Sequence, residues 1–354
     1  MSVNLPTAGI YAALSAYWQR GYDPRMSDPE NTHPYQALTP DLVLKALESK
    51  DFRCDGRLLA LNSYENRVYQ VGIEDEAPVI AKFYRPGRWT PAAIQEEHDF
   101  SLELASQEIP VVAPYRYDNG ETLCELDGFL FAVYPRCGGR WPDLDTREQR
   151  LQMGRFLGRM HAVGATGQFR HRGRVDIDTL GHSARDFILE QQFIPDYLLD
   201  AYTSLSAELL EQIQTTFDSV GTLRHIRLHG DCHPGNILWT DSGPHFVDLD
   251  DSRSGPAVQD IWMLLSGDPN EMRQQLEDLL EGYQTFYDFD YISVALIESL
   301  RTLRIMNYAA WIARRWDDPA FPRAFPWYDS PRYWEEHVLS LREQAAALNQ
   351  PPLL

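Results

Sequence analysis

The 354-residue sequence predicts an α+β protein of two unlike halves, an antiparallel sheet carrying one inserted helix followed by a mostly helical half. Three observations predict it. Short β-rich runs fill Arg57 to Tyr84, reading LLALNSYENRVYQV and PVIAKFY around the acidic turn Glu74 to Ala77. Amphipathic stripes of helical period begin with Arg147 to Val163, where Leu151, Leu157 and Met160 recur on one face. Between the two patterns lies the break Cys137-Gly138-Gly139. The expected organisation is an N-terminal extension over 1–33, a sheet-bearing domain over 34–137 and a helical domain over 138–354.

Residues 1–33 join an apolar-aromatic segment, Ile10 to Trp18, to a polar, proline-containing stretch, which suits an accessory helix with a tail. Thr39-Pro40 supplies an N-cap and a first-turn proline for a short helix with Leu42, Val43, Ala46 and Leu47 at helical spacing. Three antiparallel strands are expected within 57–84. Thr90-Pro91 repeats the cap signal for a helix bearing Ile94, Phe100, Leu102 and Leu104, ending before Ile109-Pro110. Two strands are expected to flank Asp118-Asn119-Gly120, and another to follow Asp127-Gly128 as FLFAVYP. Helical patterns return over 182–219, 258–265, 271–287, 291–316 and 333–348.

The stretch Leu228 to Asp251, LHGDCHPGNILWTDSGPHFVDLDD, interrupts that helical half. Its apolar runs, Arg224 to Leu228, Ile237 to Trp239 and His245 to Leu249, are separated by Gly, Pro and Asp-Ser-Gly breakers. The reading is strand, loop, strand, turn, strand, with polar residues on loops held by a small sheet.

Composition excludes several classes of partner. A formal charge of -20 argues against a nucleic-acid backbone or an anionic membrane surface. The four cysteines, Cys54, Cys124, Cys137 and Cys232, form no CxxC pair and suit reduced thiols in a cytosolic compartment. No basic region followed by an apolar run opens the chain, and no segment approaches the roughly 18 apolar residues of a span, so a cytoplasmic protein is expected.

Phosphoryl transfer needs a lysine on the nucleotide phosphates, a carboxylate to hold it, a group to orient the attacking hydroxyl and oxygen ligands for magnesium. Lys82, in VIAKFY, lies on an apolar strand with its ammonium free to face a cleft. Glu97, or failing that Glu96, on the following helix can pair with it. Asp231 stands five residues before Asn236, so one loop can aim a carboxylate at a hydroxyl and an amide oxygen at a metal. Asp248 follows across the Asp-Ser-Gly turn and can return to the same metal from a hairpin.

Blander readings weigh against the neighbouring signals. His229, Cys232 and His233 are too crowded for the spaced pairs of a structural zinc site. Cys232 lacks an oxyanion-stabilising partner and reads as a small apolar loop residue. His161 reads as a core histidine, and Trp311, Trp316, Trp327 and Trp334 as packing. Asp250 and Asp251 are open to metal, cation or solvent, and Asp260 reads as a hydrogen-bond anchor for the Asp231 loop.

The motifs HGDCHPGN at 229–236, FVDLDD at 246–251 and Asp260 in AVQDIWML resemble the aminoglycoside phosphotransferase and choline kinase-like branch of the protein-kinase-like fold. LNSYENRVYQ, AKFYRPGRW and VDLDDSRSGPAVQDIWMLL are further similar to a bacterial stress-response group of serine/threonine protein kinases within it, over roughly 34–354. The resemblance implies a two-lobed fold and ATP- and magnesium-dependent phosphorylation of protein serine and threonine hydroxyls by a phosphoprotein monomer. It makes Asp231 the catalytic base, Asn236 and Asp248 the metal ligands, and Lys82 with Glu97 the nucleotide anchor. Ser63 would stand near the ATP phosphates, and the backbone from Tyr134 to Cys137 would meet adenine.

Two departures qualify it. Asn62 to Tyr69 contains no glycine where a glycine-rich phosphate cover is usual, and Asp248-Leu249-Asp250 replaces Asp-Phe-Gly. Two further functions stay open. A small-molecule kinase for an amino alcohol, sugar or aminoglycoside would use Asp143, Asp145, Asp250 and Asp251 to attract a cationic acceptor. A non-catalytic nucleotide-binding scaffold would explain the missing glycines.

Overall fold

Thr39 caps the first helix through its side chain, which accepts from the Leu42 amide, with Pro40 in the first turn. In the computed structural model, which describes residues 34–61, 63–241 and 243–354, this helix is α1, Pro40–Glu48. The expected segment Ile10 to Trp18 lies outside the described residues. Strands β1 (Cys54–Ala60), β2 (Arg67–Ile73) and β3 (Val79–Phe83) follow, then helix α2 (Pro91–Ser106) and strands β4 (Cys124–Leu126) and β5 (Phe129–Pro135). The five strands form one antiparallel sheet in the order β1-β2-β3-β5-β4.

Alternation of side chains along β3 gives the sheet two chemically different faces. Val79, Ala81 and Phe83 pack with Phe131, Val133 and the α1 residues Val43, Ala46 and Leu47. Lys82, opposite Ala132 in register, points to the other face, where Ile94 of α2 packs on Ala132 and Tyr84. The strand expected before Asp118 does not form. Pro110 to Val112 are drawn instead to Phe246 in the second lobe, whose N donates to Pro110 O at 2.7 Å and whose O accepts from Val112 N at 2.9 Å. Pro114 has no N–H to offer a ladder.

The second lobe is mostly helical: α3 (Arg147–Gly164), α4 (Ser183–Glu190), α5 (Asp196–Val220), α6 (Val258–Trp262), α7 (Pro269–Tyr283), α8 (Ile297–Ala313), α9 (Ala320–Ala324) and α10 (Pro331–Leu348). The pattern expected from Tyr291 begins as a 3-10 turn, Tyr291–Leu296, before α8. Between α5 and α6 lie strands β6 (Ile226–Leu228), β7 (Ile237–Thr240), β8 (Gly243–Phe246) and β9 (Arg253–Gly255). The single small sheet expected here is two separate ladders, because β6 pairs with β9 while β7 and β8 form their own hairpin. No described helix is long and apolar enough to cross a membrane.

Helices α3 and α7 meet through glycines. A Cβ on Gly154 would fall on the Leu279 carbonyl, one on Gly158 on the Tyr283 carbonyl, and one on Gly282 on the Leu151 carbonyl. This close approach brings His161 of α3 to Tyr283 of α7, the two residues that support the Asp231 loop described below. Gly158→Ala is expected to lower the unfolding free energy by about 2 kcal/mol through overpacking against backbone. Gly173→Ala, which has open space around it, should change it by less than about 0.5 kcal/mol; thermal unfolding of both variants checks the contrast.

Candidate active site

Lys82 is nearly buried, and its Nζ lies 3.5 Å from Glu97 Oε1, 3.2 Å from Asp248 Oδ1 and 3.2 Å from Asp250 Oδ1. Burial opposes the charged ammonium, yet Asp250, Glu97 and Asp248 outweigh it and hold the Lys82 pKa well above its ordinary value. Burial pushes the Glu97 carboxyl up to about 7 even though Lys82 and Arg172 act in the other direction. The choice between the two glutamates is thereby resolved geometrically. Glu96 faces away and accepts the backbone amides of Arg170, His171 and Arg172 at 2.7, 2.9 and 3.2 Å.

Asp231 belongs to a loop fixed from beneath by Asp260. The Asp260 carboxylate accepts the His229 and Gly230 amides, each at 2.8 Å, and lies 3.1 Å from His161 Nε2. His161 Nδ1 in turn is 2.9 Å from the Tyr283 hydroxyl, so the buried histidine is satisfied on both sides. His229 Nε2 reaches Val247 O at 3.0 Å and its Nδ1 accepts the Asp231 amide at 3.4 Å, which fixes the tautomer with the proton on Nε2. Gly230 has φ +84°, and a Cβ there would meet the Asp251 carbonyl, so this position requires glycine.

The β7–β8 hairpin brings the next two residues together. Ile237 pairs with Phe246, and Val247 N donates to Asn236 O at 3.0 Å, so Asp248 emerges directly beyond Asn236. The Asn236 amide nitrogen donates to Asp231 O at 2.9 Å and to its Oδ2 at 3.3 Å, which turns the amide oxygen the other way. Asp248 adopts a left-handed conformation, φ 60° and ψ 62°, uncommon for a non-glycine residue, and its side chain is 54% exposed. Asp231 is held well below the usual carboxylate range: burial would raise it, and Arg304 and His233 outweigh burial.

Of the options that sequence left open for Asp250, metal, cation or solvent, the structure shows pairing with the protein's own cations. It is buried and takes Arg88 Nη1 and Asn66 Nδ2 on Oδ2, the latter at 3.1 Å, and Lys82 on Oδ1. Asp251 pairs with Arg88 Nη2 and with Arg253 Nη2, both at 2.9 Å. Arg172 donates to the backbone carbonyls of Asp250, Ser252 and Ala93 and stacks over Trp89, 4.3 Å from its centroid. Arg88, Asn66 and Arg172 escaped sequence reasoning, although RPGRW and YENR sit beside the residues singled out.

Ser63 lies in the glycine-free turn, which the Leu61 N to Val68 O bond closes at 2.8 Å. Two residues on, Glu65 Oε2 accepts from Trp311 Nε1 and Arg315 Nη2, both at 2.6 Å. Trp311 therefore does more than pack. The Tyr134 hydroxyl turns inward to Tyr84 at 2.9 Å, and Cys137 lies half-buried just beyond β5.

Residues 57–297 match the family model described as the phosphotransferase enzyme family. The chain belongs to the phosphotransferase enzyme family. Among curated relatives it is 46% identical over 319 residues to stress response kinase A of Escherichia coli strain K12, covering 90% of this chain and 96% of the relative. It is 42% identical over 324 residues to the serine/threonine protein kinase RdoA of Salmonella typhimurium strain LT2, covering 92% and 98%. A microcompartment-associated aminopropanol kinase has the same fold, with a TM-score of 0.68 at 17% identity over 89% of this chain and all of that one.

The phosphotransferase site carries a stability signature in acid. Burial would raise the Asp250 pKa, but Arg88, Lys82 and Arg172 outweigh it and hold it below its ordinary value. The folded state therefore binds this proton more weakly than the unfolded chain, so the stabilisation is complete above about pH 4 and is lost as pH falls below it. Asp250→Asn is expected to flatten that acid limb of the unfolding free energy. At pH 7 it should cost about 3 kcal/mol, because Arg88 Nη1 and Lys82 each lose a buried charged partner while Asp251 still holds Arg88 Nη2; denaturant unfolding across pH 2 to 7 measures both.

Proposed function

We propose that this phosphotransferase moves the γ-phosphoryl group of ATP, with magnesium, to serine and threonine hydroxyls of proteins in a cytoplasmic stress response. What carries the reading is the Lys82–Asp248 ion pair between the lobes, beside the hairpin entry where Asn236 bonds Asp231, in a chain 46% identical to a stress response kinase over nine-tenths of its length. Asp248 and the Asn236 amide oxygen would hold magnesium. They are hard oxygen donors, and two such ligands with phosphate oxygens suffice for that ion. Asp250 does not fit as a ligand, since its oxygens already face Arg88, Asn66 and Lys82.

Magnesium, when bound, neutralises charge on the phosphates during transfer. Lys82, anchored by Glu97, grips the phosphates, while Ser63 and its neighbouring amides cover them. The backbone after Tyr134, as far as Cys137, meets adenine. Asp231 aligns the acceptor hydroxyl, whose oxygen bonds to the γ-phosphorus as the bond to the β,γ-bridging oxygen breaks. ADP leaves, and the hydroxyl proton passes to Asp231. The ionised state enforced by Arg304 and His233 suits a group that aligns first and accepts the proton late.

Asp231→Ala is expected to lower transfer to protein acceptors by about a hundredfold or more while nucleotide binding persists. Phosphoproteomics of cells carrying the intact chain against cells carrying Asp231→Ala, with calorimetric ATP titration of both, tests this. ADP release that responds to aminopropanol, choline or an aminoglycoside, with no protein site lost in the variant, would establish a small-molecule kinase instead.

A further inference from the structure

We propose that Arg304 makes this site selective for an acidic acceptor, a serine or threonine hydroxyl flanked by aspartate or glutamate. The inference rests on the protein-kinase reading above and adds the substrate class. Arg304 projects from α8 and bonds Asp231 Oδ1, with about a third of its side chain exposed (36%). His233 Nε2 lies 3.5 Å from the other carboxylate oxygen, which also receives the Asn236 amide. Both oxygens of the base are thus engaged, and a hydroxyl that approaches Oδ1 competes with Arg304 for that oxygen.

The chemistry of the acceptor decides the outcome of that competition. An acidic side chain beside the hydroxyl offers the guanidinium a replacement carboxylate, and Oδ1 is released for the hydroxyl proton. A cationic amino alcohol offers no replacement and sets like charge against Arg304. The acidic residues that sequence reading assigned to a cationic acceptor do not offset this. Asp250 is buried under Arg88 and Lys82, and Asp251 is shared by Arg88 and Arg253. Asp143 and Asp145 are exposed on the loop that enters α3, where Arg150 binds the Leu144 and Asp145 carbonyls.

The test uses the full-length protein, magnesium-ATP and two peptides that differ only in flanking residues, one Glu-Ser-Glu and one Lys-Ser-Lys. At low ionic strength the wild type is expected to favour the acidic peptide by on the order of tenfold in kcat/KM, mostly through KM, as for one added charge pair. Raising salt to about 0.5 M should collapse the ratio. Arg304→Glu should reverse the preference, and Arg304→Lys should keep its sign while shrinking it, since the charge stays and the fork is lost. Equal use of both peptides by the wild type, or an acidic preference that survives in Arg304→Glu, overturns the inference. Where Arg304→Glu fails to fold, the wild-type salt series and Arg304→Lys decide. Transfer to neither peptide and to no protein hydroxyl strikes the kinase reading itself, and this inference with it.

Discussion

Asp250 is the constraint around which the two lobes are arranged. A buried carboxylate is costly unless paired and hydrogen-bonded, and every group that satisfies its side chain, Arg88, Asn66 and Lys82, comes from the first lobe. Docking the lobes is what removes the penalty. The same network separates three neighbouring acids by role. Asp250 is locked, Asp251 is shared between Arg88 and Arg253, and only Asp248 turns a half-exposed carboxylate toward the cleft. Its left-handed backbone is the strained step between β8 and the turn that carries Asp250, and both acids reach Lys82 Nζ at 3.2 Å.

Asp260 does for the Asp231 loop what Arg88 does for Asp250. Two backbone amides on one carboxylate fix the loop's path, and His161 and Tyr283 fix the carboxylate. That chain of bonds crosses α3 and α7, which reach one another because Gly154, Gly158 and Gly282 leave no side chain between them. Placement of Asp231 therefore depends on helix packing well below it. Rigid elements positioning a loop is the arrangement that holds reacting groups to within fractions of an ångström.

Much of this was legible in residue order. The caps at Thr39 and Thr90, the strands through Lys82 and the hairpin after Asn236 each rest on local chemistry that sequence displays. What sequence did not display was long-range pairing. Arg88 meets Asp250 across 162 positions and Arg304 meets Asp231 across 73, and nothing local distinguishes these arginines from solvated ones. The failed strand before Asp118 has the same origin, since Pro110 to Val112 found their partner in Phe246 of the other lobe. His161 shows the limit of a correct bland reading: it is a satisfied core histidine, and its partner Asp260 is the anchor of the Asp231 loop.

The missing glycines in the phosphate cover have a physical counterpart. A glycine-rich turn gains closeness to phosphate through backbone freedom, which leaves its position to be fixed on binding. Here the turn is fixed beforehand: Glu65 is held by Trp311 and Arg315, and Tyr64 packs on Phe325 at 5.0 Å between centroids. Arg85 adds a bond to buried Asp318 at 2.9 Å. Trp311 lies seven residues beyond Arg304 on α8, two helical turns along one face. One helix thus touches both the turn that carries Ser63 and Glu65 and the Asp231 carboxylate. The spacing between that turn and Asp231 is therefore set by a single helix rather than by loop closure.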